Sequence, residues 1–258
     1  MNIFVLIKQV PVISEIAINH QTFTADRSAA GSMMNPCDLF ALEAAFELKT
    51  SNGGTVTVLT MGNESSESQL REAVGMGADR AVRITDDSFA GSDTLVTAKV
   101  LATAIQHLGG ADCIFCGQAS VDSATGQIGG KLSALLHMNL LTSANHIVSN
   151  ERNLTIRRIA GTGYEVWSAP FPVVCSVSEG ANHPRMATLR GKMAAKKAEI
   201  ELLTNEDLKL SEEQLLSLSK VEALFPAARQ EVGHRIIGAD EKEMSRKLAD
   251  ILIAKHLI

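Results

Sequence analysis

Segments typical of buried strands alternate with segments typical of amphipathic helices through the first half of the chain. The β-rich runs cover residues 3–8, 55–61, 80–85 and 112–116, and helical periodicity covers residues 34–49, 67–75, 93–108 and 128–136. Such alternation is typical of βαβ units, which have parallel strands and right-handed crossovers. The sequence therefore predicts an α/β domain with a Rossmann-like parallel sheet. In such sheets ligands bind at the carboxyl ends of the strands.

The stretch 112–136, DCIFCGQASVDSATGQIGGKLSALL, is the most informative of these units. Its apolar run ends at Gly117, and a polar, glycine- and serine-rich turn leads into a helix. A helix N-terminus behind such a turn offers free backbone N–H groups and the positive end of the helix dipole. This arrangement favours phosphate binding, with Asp122, Ser123 or Thr125 as the helix cap. The alternative is an ordinary, well-capped connection between a strand and a helix.

Four turns of small and polar residues fall on the same edge of the predicted sheet, at residues 9–12, 35–38, 61–63 and 117–127. None of them carries G-x-G-x-x-G, which argues against an ordinary NAD-type site. Their convergence on one edge nevertheless favours the binding of a nucleotide.

Composition excludes several classes of function. The formal net charge of −5 and the aromatic content of 4% give no support for nucleic-acid binding. No apolar run approaches the roughly 18 to 20 residues of a membrane span, so a cytoplasmic protein without membrane insertion is expected. Cys113 and Cys116 lie three apart on a predicted strand and point to opposite faces, which favours buried thiols over a metal site. Motifs of hydrolases, zinc enzymes and P-loop proteins are absent from the sequence.

The second half of the chain has a different pattern. Short β-rich runs at 142–148, 154–159, 164–168 and 173–177 predict strands that extend or flank the sheet, with a hairpin turn at 161–163. Residues 181–197 predict a mobile, exposed, cationic loop that leads into a helical turn. Residues 201–258 predict an arm of helices, the last of which has an apolar face of Met244, Leu248, Ile251 and Leu252. The predicted domains are therefore residues 1–200 and the arm, 201–258.

Taken together, several stretches resemble the β subunits of the electron transfer flavoprotein family. They are VLIKQVP at the start, MNPCDLFALEAAFELK, VTVLTMG, LREAVGMGADRAV, the turn from Cys116 to Gly129, APFPVVCSV and NHPRMATLRGKMAAKKAEI. The resemblance extends from residue 1 to about residue 200, and the order and spacing of the stretches make it specific.

The resemblance implies an electron carrier and not an independent enzyme. A β subunit of this family pairs with an α subunit, which holds most of the redox FAD. The β subunit has its own nucleotide, AMP in the respiratory branch and a second FAD in bifurcating branches. Electrons come from acyl-CoA dehydrogenases or from NADH, and they leave to a quinone reductase, ferredoxin or a similar acceptor. Two arrangements are open for the helical arm, which either folds back on its own sheet or contacts the partner subunit.

Matching the motifs residue by residue implies two groups of site residues. The nucleotide contacts are Leu6, Asn35, Cys37, Met61, Gly117, Asp122, Ser123, Thr125, Gly126, Gln127 and Ile128. The recognition loop 182–197 supplies Leu189 as the apolar anchor for the dehydrogenase, together with Arg185, Lys196 and Lys197.

The sequence also departs from the family pattern. Val12 and Ala124 stand where the family usually has acidic residues, and Ile159 stands where it often has glutamate. These departures are typical of a divergent bacterial member and leave both AMP and FAD open as the nucleotide of the β subunit. Two other classes of function are considered. One is a stand-alone nucleotide-sensing domain, and the other is an enzyme that acts on the bound nucleotide, for which the pyrophosphate loop is missing after the first strand.

Overall fold

Seven parallel strands form the central sheet of the protein, in a computed structural model that describes residues 1–12, 17–19, 24–26, 31–219, 222, 233 and 235–258. The strands are β1 Asn2–Leu6, β2 Gln9–Pro11, β3 Ala17–Asn19, β4 Thr24–Asp26, β5 Ser32–Met34, β6 Thr55–Met61, β7 Arg80–Ile84, β8 Cys113–Gly117, β9 Asn139–Ala144, β10 His146–Ser149, β11 Asn153–Ala160, β12 Gly163–Pro170, β13 Val173–Val177 and β14 Glu201–Leu203. The α-helices are α1 Pro36–Asn52, α2 Glu67–Met76, α3 Thr94–His107, α4 Ile128–Leu136, α5 Leu189–Lys197, α6 Asn205–Leu208 and α7 Glu241–Ala254.

The order of the strands in the sheet is β14-β7-β6-β1-β8-β13-β9, and every neighbouring pair is parallel. The chain winds outward from β1 through β6 to β7, and then returns to place β8 on the other side of β1. The winding direction reverses between β1 and β8, and the crevice beside such a reversal is where ligands bind in open α/β sheets. The predicted parallel sheet and its first four strands are confirmed.

Helices cover both faces of this sheet. Along β1, Ile3 and Val5 belong to the apolar core beneath α1 and α2, whereas Phe4 and Leu6 belong to the core beneath α3 and α4. Burial on both faces explains why these strands are continuous apolar runs. On β8, Cys113 lies in the first core and Cys116 in the second, so the two thiols point to opposite faces as predicted.

A separate three-stranded antiparallel sheet follows, in the order β10-β11-β12. The predicted hairpin turn is confirmed, because Ala160 pairs with Gly163 across it. The prediction of one strand at 142–148 is wrong. Its first part belongs to β9 of the central sheet and its second part to β10 of the small sheet. The break lies at Asn145, two residues after Ser143, which adopts a φ of +57° where the pairing of β9 with β13 shifts register.

The segment 181–197, predicted as a loop that leads into a helical turn, ends in a longer helix than expected, because its last nine residues form α5, which packs on α2. The Thr188 side chain caps this helix by accepting the Gly191 N–H at 3.0 Å. A Cβ at Gly191 would overlap the carbonyl oxygen of Gly75 on α2, so glycine here permits the close approach of two helices. Gly191 is therefore a packing residue within a helix.

The chain divides into two compact units, Met1–Ala223 and Leu224–Ile258. The boundary differs from the one expected at residue 200, because β14 pairs with β7 at the edge of the central sheet. In the second unit, α7 begins after its N-cap Asp240, and none of its residues is buried. Residues 220–221, 223–232 and 234 of the predicted arm lie outside the described residues. Within the part of the chain that the structure describes, no helix is long and apolar enough to cross a membrane.

Candidate functional site

A cleft of about 1610 Å³ opens at the carboxyl ends of β1 and β8, beside the reversal of strand order. The turns after β1, β6 and β8, the start of α4 and residues 215–219 contribute to its walls. Nine of the eleven predicted nucleotide contacts line it, namely Leu6, Met61, Gly117, Asp122, Ser123, Thr125, Gly126, Gln127 and Ile128. The structure therefore brings together residues that lie up to 122 positions apart, from Leu6 to Ile128, in one cleft.

The other two predicted contacts, Asn35 and Cys37, are not among the described residues that line the cleft. Asn35 is buried, and its amide holds the turn after β8: Nδ2 donates to the Ala119 carbonyl at 3.0 Å, and Oδ1 accepts the Val121 N–H at 3.1 Å. Cys37 is half-buried, and burial raises the pKa of its thiol. The structure thus gives Asn35 the task of holding the turn, while direct contact with a nucleotide stays a prediction.

Asp38 is a site residue that the sequence reasoning missed. Its buried carboxylate accepts the Lys8 N–H at 2.8 Å, the Gly117 N–H at 3.2 Å and a hydrogen bond from Asn35 Nδ2 at 3.0 Å. One side chain at the start of α1 therefore joins the ends of β1 and β8. Burial raises the pKa of Asp38 to about 7, although these three hydrogen bonds oppose the shift. Asp38 entered the sequence-based prediction only as part of the stretch MNPCDLFALEAAFELK, which resembles the family.

Lys8 is the second residue that was missed. Its Nζ lies 2.7 Å from Asp122 Oδ1 and 3.4 Å from Ser120 Oγ, and Ser120 in turn bonds Ser123 at 2.9 Å. This ion pair ties the turn after β8 to the end of β1. The Lys8 side chain nevertheless remains 46% exposed, so its ammonium group is still accessible from the cleft.

The expected cap of α4 is wrong. The N-cap residue is Gln127, in place of Asp122, Ser123 or Thr125. Among the described residues, no side chain forms a capping hydrogen bond with the first turn of the helix. The Gln127 side chain instead accepts a hydrogen bond from Thr94 Oγ1 at 2.7 Å. The first N–H groups of a helix lack intrahelical partners, so this N-terminus presents uncapped donors and a positive dipole end at the cleft.

Glycines shape the approach to this helix. Gly126 has a φ of +61°, a conformation that side-chain-bearing residues adopt only with strain. At Gly117, a Cβ would overlap the Asp38 carboxylate and lie 2.8 Å from Cys37 Cβ. The predicted contact Gly117 is therefore required for the packing of β8 on α1, whatever the cleft binds.

Residues 215–219 form a further wall, which a single carboxylate holds in place. Asp93 Oδ1 caps α3 through the N–H groups of Leu95 and Val96 at 2.9 Å, and Oδ2 accepts the N–H groups of Leu218 at 3.0 Å and Ser219 at 3.3 Å. These hydrogen bonds, led by the one from Val96, lower the pKa of Asp93 to about 2. The carboxylate is therefore ionised at any working pH. No local pattern in the sequence indicates this wall, because its contacts with Asp93 join residues about 125 positions apart.

The predicted partner-binding residues lie on and before α5. Leu189 is 80% exposed in the first turn, and Met186 and Met193 are exposed beside it. We call Met186, Leu189 and Met193 the docking surface. Lys196 and Lys197 are exposed in the last turn, where cations also stabilise a helix C-terminus.

Arg185 has an internal partner that the sequence did not reveal. Its guanidinium lies 2.7 Å from Glu43 Oε1 on α1 and 4.8 Å from the ring centre of Phe46. Arg185 thus fixes the segment before α5 on α1, and its contact with a partner protein stays a prediction.

No cluster of three or more metal-ligating side chains occurs among the described residues. Burial raises the pKa of the Cys116 thiol to about 12 and that of Cys175 further, so these groups remain protonated. The described residues of the cleft therefore offer hydrogen-bond donors, the accessible ammonium group of Lys8 and an uncapped helix N-terminus. These are the means by which proteins bind anions such as phosphate.

Comparison with known proteins points to one family. The model of the electron transfer flavoprotein domain matches residues 22–208. The electron transfer flavoprotein subunit beta of Thermoanaerobacterium thermosaccharolyticum is 36% identical, with both chains covered in full. The caffeyl-CoA reductase-Etf complex subunit CarD of Acetobacterium woodii is 33% identical over the full length of both chains. Protein FixA of Azorhizobium caulinodans is 39% identical over 80% of this chain and 76% of its own. The chain therefore belongs to the electron transfer flavoprotein family, among its β subunits.

Proposed function

We propose that this chain is the β subunit of a heterodimeric electron transfer flavoprotein and that its cleft binds an adenine nucleotide, AMP or FAD. Electrons from an acyl-CoA dehydrogenase or from NADH pass through FAD shared with the α subunit. They leave to a quinone reductase, ferredoxin or a similar acceptor. Family membership itself gives the chain a role in electron transfer as a carrier subunit, and not as an independent enzyme.

The observation that carries the nucleotide proposal is the position of the cleft. It lies at the reversal of strand order, and the uncapped N-terminus of α4 borders it. A phosphate there would accept the N–H groups of the first helical turn. The cleft volume of about 1610 Å³ exceeds the roughly 300–1,000 Å³ of most small-molecule sites, which gives room for a ligand as long as a dinucleotide.

Charge at the cleft supports an anionic ligand in spite of its acidic residues. The Asp122 carboxylate is paired with Lys8 at 2.7 Å, and the exposed part of the Lys8 side chain can turn toward a phosphate. The Asp93 carboxylate faces backbone donors of α3 and of the wall 215–219. Acids that are already paired repel phosphate less than unpaired ones would.

Two surfaces support partner proteins. The docking surface of Met186, Leu189 and Met193 has cations of α5 nearby, a combination that fits an acidic partner with an apolar pocket. The hairpin of β11 and β12 exposes Ile159, Tyr164, Val166 and Trp167, with Arg157 over the Tyr164 ring and Arg158 over the Trp167 ring. Exposed aromatic residues are enriched in interfaces, so this hairpin is a surface for the α subunit.

The test is to express the chain alone and together with its α subunit, and to identify extracted nucleotides by mass spectrometry. The expected result is a yellow heterodimer that contains adenine nucleotide beyond the FAD held by α, or two FAD per heterodimer. A colourless monomer that retains a nucleotide without any partner would favour a stand-alone sensor. A heterodimer with no nucleotide beyond that of α would refute the role of the cleft.

A further inference from the structure

A fully buried carboxylate lies at the base of the cleft, surrounded by hydrogen-bond donors. Asp38 receives three N–H groups, from Lys8 at 2.8 Å, Asn35 at 3.0 Å and Gly117 at 3.2 Å. The first is the main chain after β1 and the last is the main chain at the end of β8, so the carboxylate joins the two strands that flank the reversal. Both of its oxygens are occupied.

Asn35 transmits this arrangement to the turn after β8. The same Nδ2 group that donates to Asp38 also donates to the Ala119 carbonyl at 3.0 Å, and Oδ1 accepts the Val121 N–H at 3.1 Å. The Asn35 backbone N–H is itself fixed by the Lys8 carbonyl at 2.9 Å. The orientation of one amide therefore determines the position of residues 119–121, which precede Asp122 at the cleft.

The network is consistent only with an ionised Asp38, because all three of its neighbours are donors. A proton on the carboxyl group would need an acceptor, and reversal of the Asn35 amide would supply one. That reversal would place the amide nitrogen against the Val121 N–H and the amide oxygen against the Ala119 carbonyl. Both contacts with the turn would then be lost, and a buried polar group without its partner costs about 1–3 kcal/mol.

The other titratable groups that face Asp38 come from each element around it. Lys8 follows β1 and lowers the pKa of Asp38, and Asp122 on the turn neutralises part of the Lys8 charge. Cys37 on α1 and Cys116 on β8 are thiols whose pKa is raised, first by burial and also by the Asp38 charge. Both thiols remain protonated near neutral pH, so Asp38 is the group in this cluster that titrates there.

We propose that Asp38 and Asn35 act as a pair of positioning residues, in which the ionised carboxylate fixes the Asn35 amide and the amide holds the turn 118–122 in the shape that binds the nucleotide phosphate. The proposal rests on the proposed nucleotide-binding function and adds a proton-dependent control of it. Nucleotide affinity is highest when Asp38 is ionised and falls as the pH is lowered through about 7, the pKa of this carboxyl group.

The test compares the wild-type heterodimer with Asp38→Asn, which presents a donor where the carboxylate accepts and so imitates the protonated state. Asp112→Asn is the matched control. Asp112 accepts the Asn2 N–H at 2.8 Å and so joins the same two strands at the opposite edge of the sheet. Hydrogen exchange at pH 8 reports the order of residues 117–123, and titration calorimetry with AMP and with FAD, after removal of bound nucleotide, reports affinity between pH 5.5 and 8.5.

The expected result is at least about ten-fold faster exchange in residues 117–123 and at least about ten-fold weaker binding at pH 8 for Asp38→Asn, equivalent to about 1.4 kcal/mol. Wild-type affinity should fall toward that of the variant as the pH drops, and the variant should lack this change. AMP titrates near pH 6 in all samples, so the difference between profiles isolates Asp38. Asp112→Asn should match the wild type in both measurements.

Wild-type exchange in Asp38→Asn, or the same pH profile in the variant and the wild type, would overturn the proposal. If Asp38→Asn does not fold, Asn35→Ser removes the amide instead. It must then accelerate exchange in residues 117–123, and the wild-type affinity must still fall as the pH drops through about 7. Absence of AMP or FAD binding by the wild type would refute the proposed function, while the exchange measurement would still decide the positioning role.

Discussion

Leu189 is the residue at which a docking role and a structural role predict opposite results. Its side chain is 80% exposed, so truncation to alanine removes almost no buried contact within the chain. Surface substitutions of this kind change stability by about 0.5 kcal/mol or less, or about 1–2 °C in Tm for a chain of this size. A core leucine such as Leu70, which is fully buried, would cost about 2–5 kcal/mol.

The cost in partner affinity should be much larger. Burial of a leucine side chain in an apolar pocket is worth about 1.5–3 kcal/mol, which corresponds to a loss of about ten-fold to more than a hundred-fold in Kd for Leu189→Ala. The loss should appear mainly as faster dissociation, because a neutral anchor does not steer the encounter. Charge reversal at Lys196 and Lys197 should instead lower the association rate and its dependence on salt.

The assay is stopped-flow reduction of the heterodimer's flavin by its acyl-CoA dehydrogenase over a range of concentrations, beside a thermal melt of each protein. Leu202→Ala is a matched control, since Leu202 on β14 is 48% exposed and lies outside both the docking surface and the cleft. If Leu189→Ala lowers the Tm by several degrees and leaves the reduction kinetics unchanged, the leucine has a structural role and the docking argument fails.

Three further predictions follow from other contacts. Gly126→Val should lose bound nucleotide. Gly53→Val should retain it, because Gly53 also has a positive φ, +70°, but lies in open space after α1, away from the cleft; equal retention in both variants would refute the role of Gly126. Burial raises the pKa of Glu43, but the hydrogen bonds from Arg185 outweigh it and hold that pKa below its usual value. The Arg185 side chain is 44% exposed, so Arg185→Ala should lower the free energy of unfolding by only about 1–2 kcal/mol at pH 7. Urea melts should show this difference shrinking as the pH falls below about 4.5, where Glu43 gains a proton. Truncation after Asp240 should reduce recovery of the heterodimer in co-purification, and unchanged recovery would exclude the arm from the interface.

The sequence predicted the central sheet well because its signals are local. Continuous apolar runs such as residues 3–7 are explained by burial on both faces, and turns of small residues mark where the strands end. Since parallel strands end on one edge, most of the cleft could be predicted from those turns alone. At α5 the sequence predicted only a helical turn, because glycine is unfavourable inside a helix, whereas Gly191 is a contact point between two helices.

The anchors of the cleft could not be predicted in the same way. Lys8 and Asp122 are separated by 114 positions, and Asp93 and Ser219 by 126. No local pattern records such pairs, because their geometry exists only after the sheet has formed. Asp38 was visible in the sequence as an acidic residue at a helix start, which is its commonest role, and its link to Gly117 appears only when β8 lies beside α1.

Among the described residues, three acidic side chains line the cleft, which is nevertheless suited to an anion because each carboxylate is held differently. Hydrogen bonds from backbone groups lower the pKa of Asp93 to about 2, so its charge is constant and its wall is fixed at any working pH. Asp122 is paired with Lys8 at 2.7 Å, so a phosphate that attracts the Lys8 ammonium competes with this carboxylate and acts directly on the turn. Burial raises the pKa of Asp38 to about 7, and this carboxylate can gain a proton near neutrality.

Two environments that push pKa values apart give two functions: Asp93 provides a permanent support, and Asp38 provides an adjustable one. A pH dependence of nucleotide binding near neutrality should therefore disappear with Asp38→Asn and persist in Asp93→Asn, whose effect should be a uniform loss of affinity at every pH.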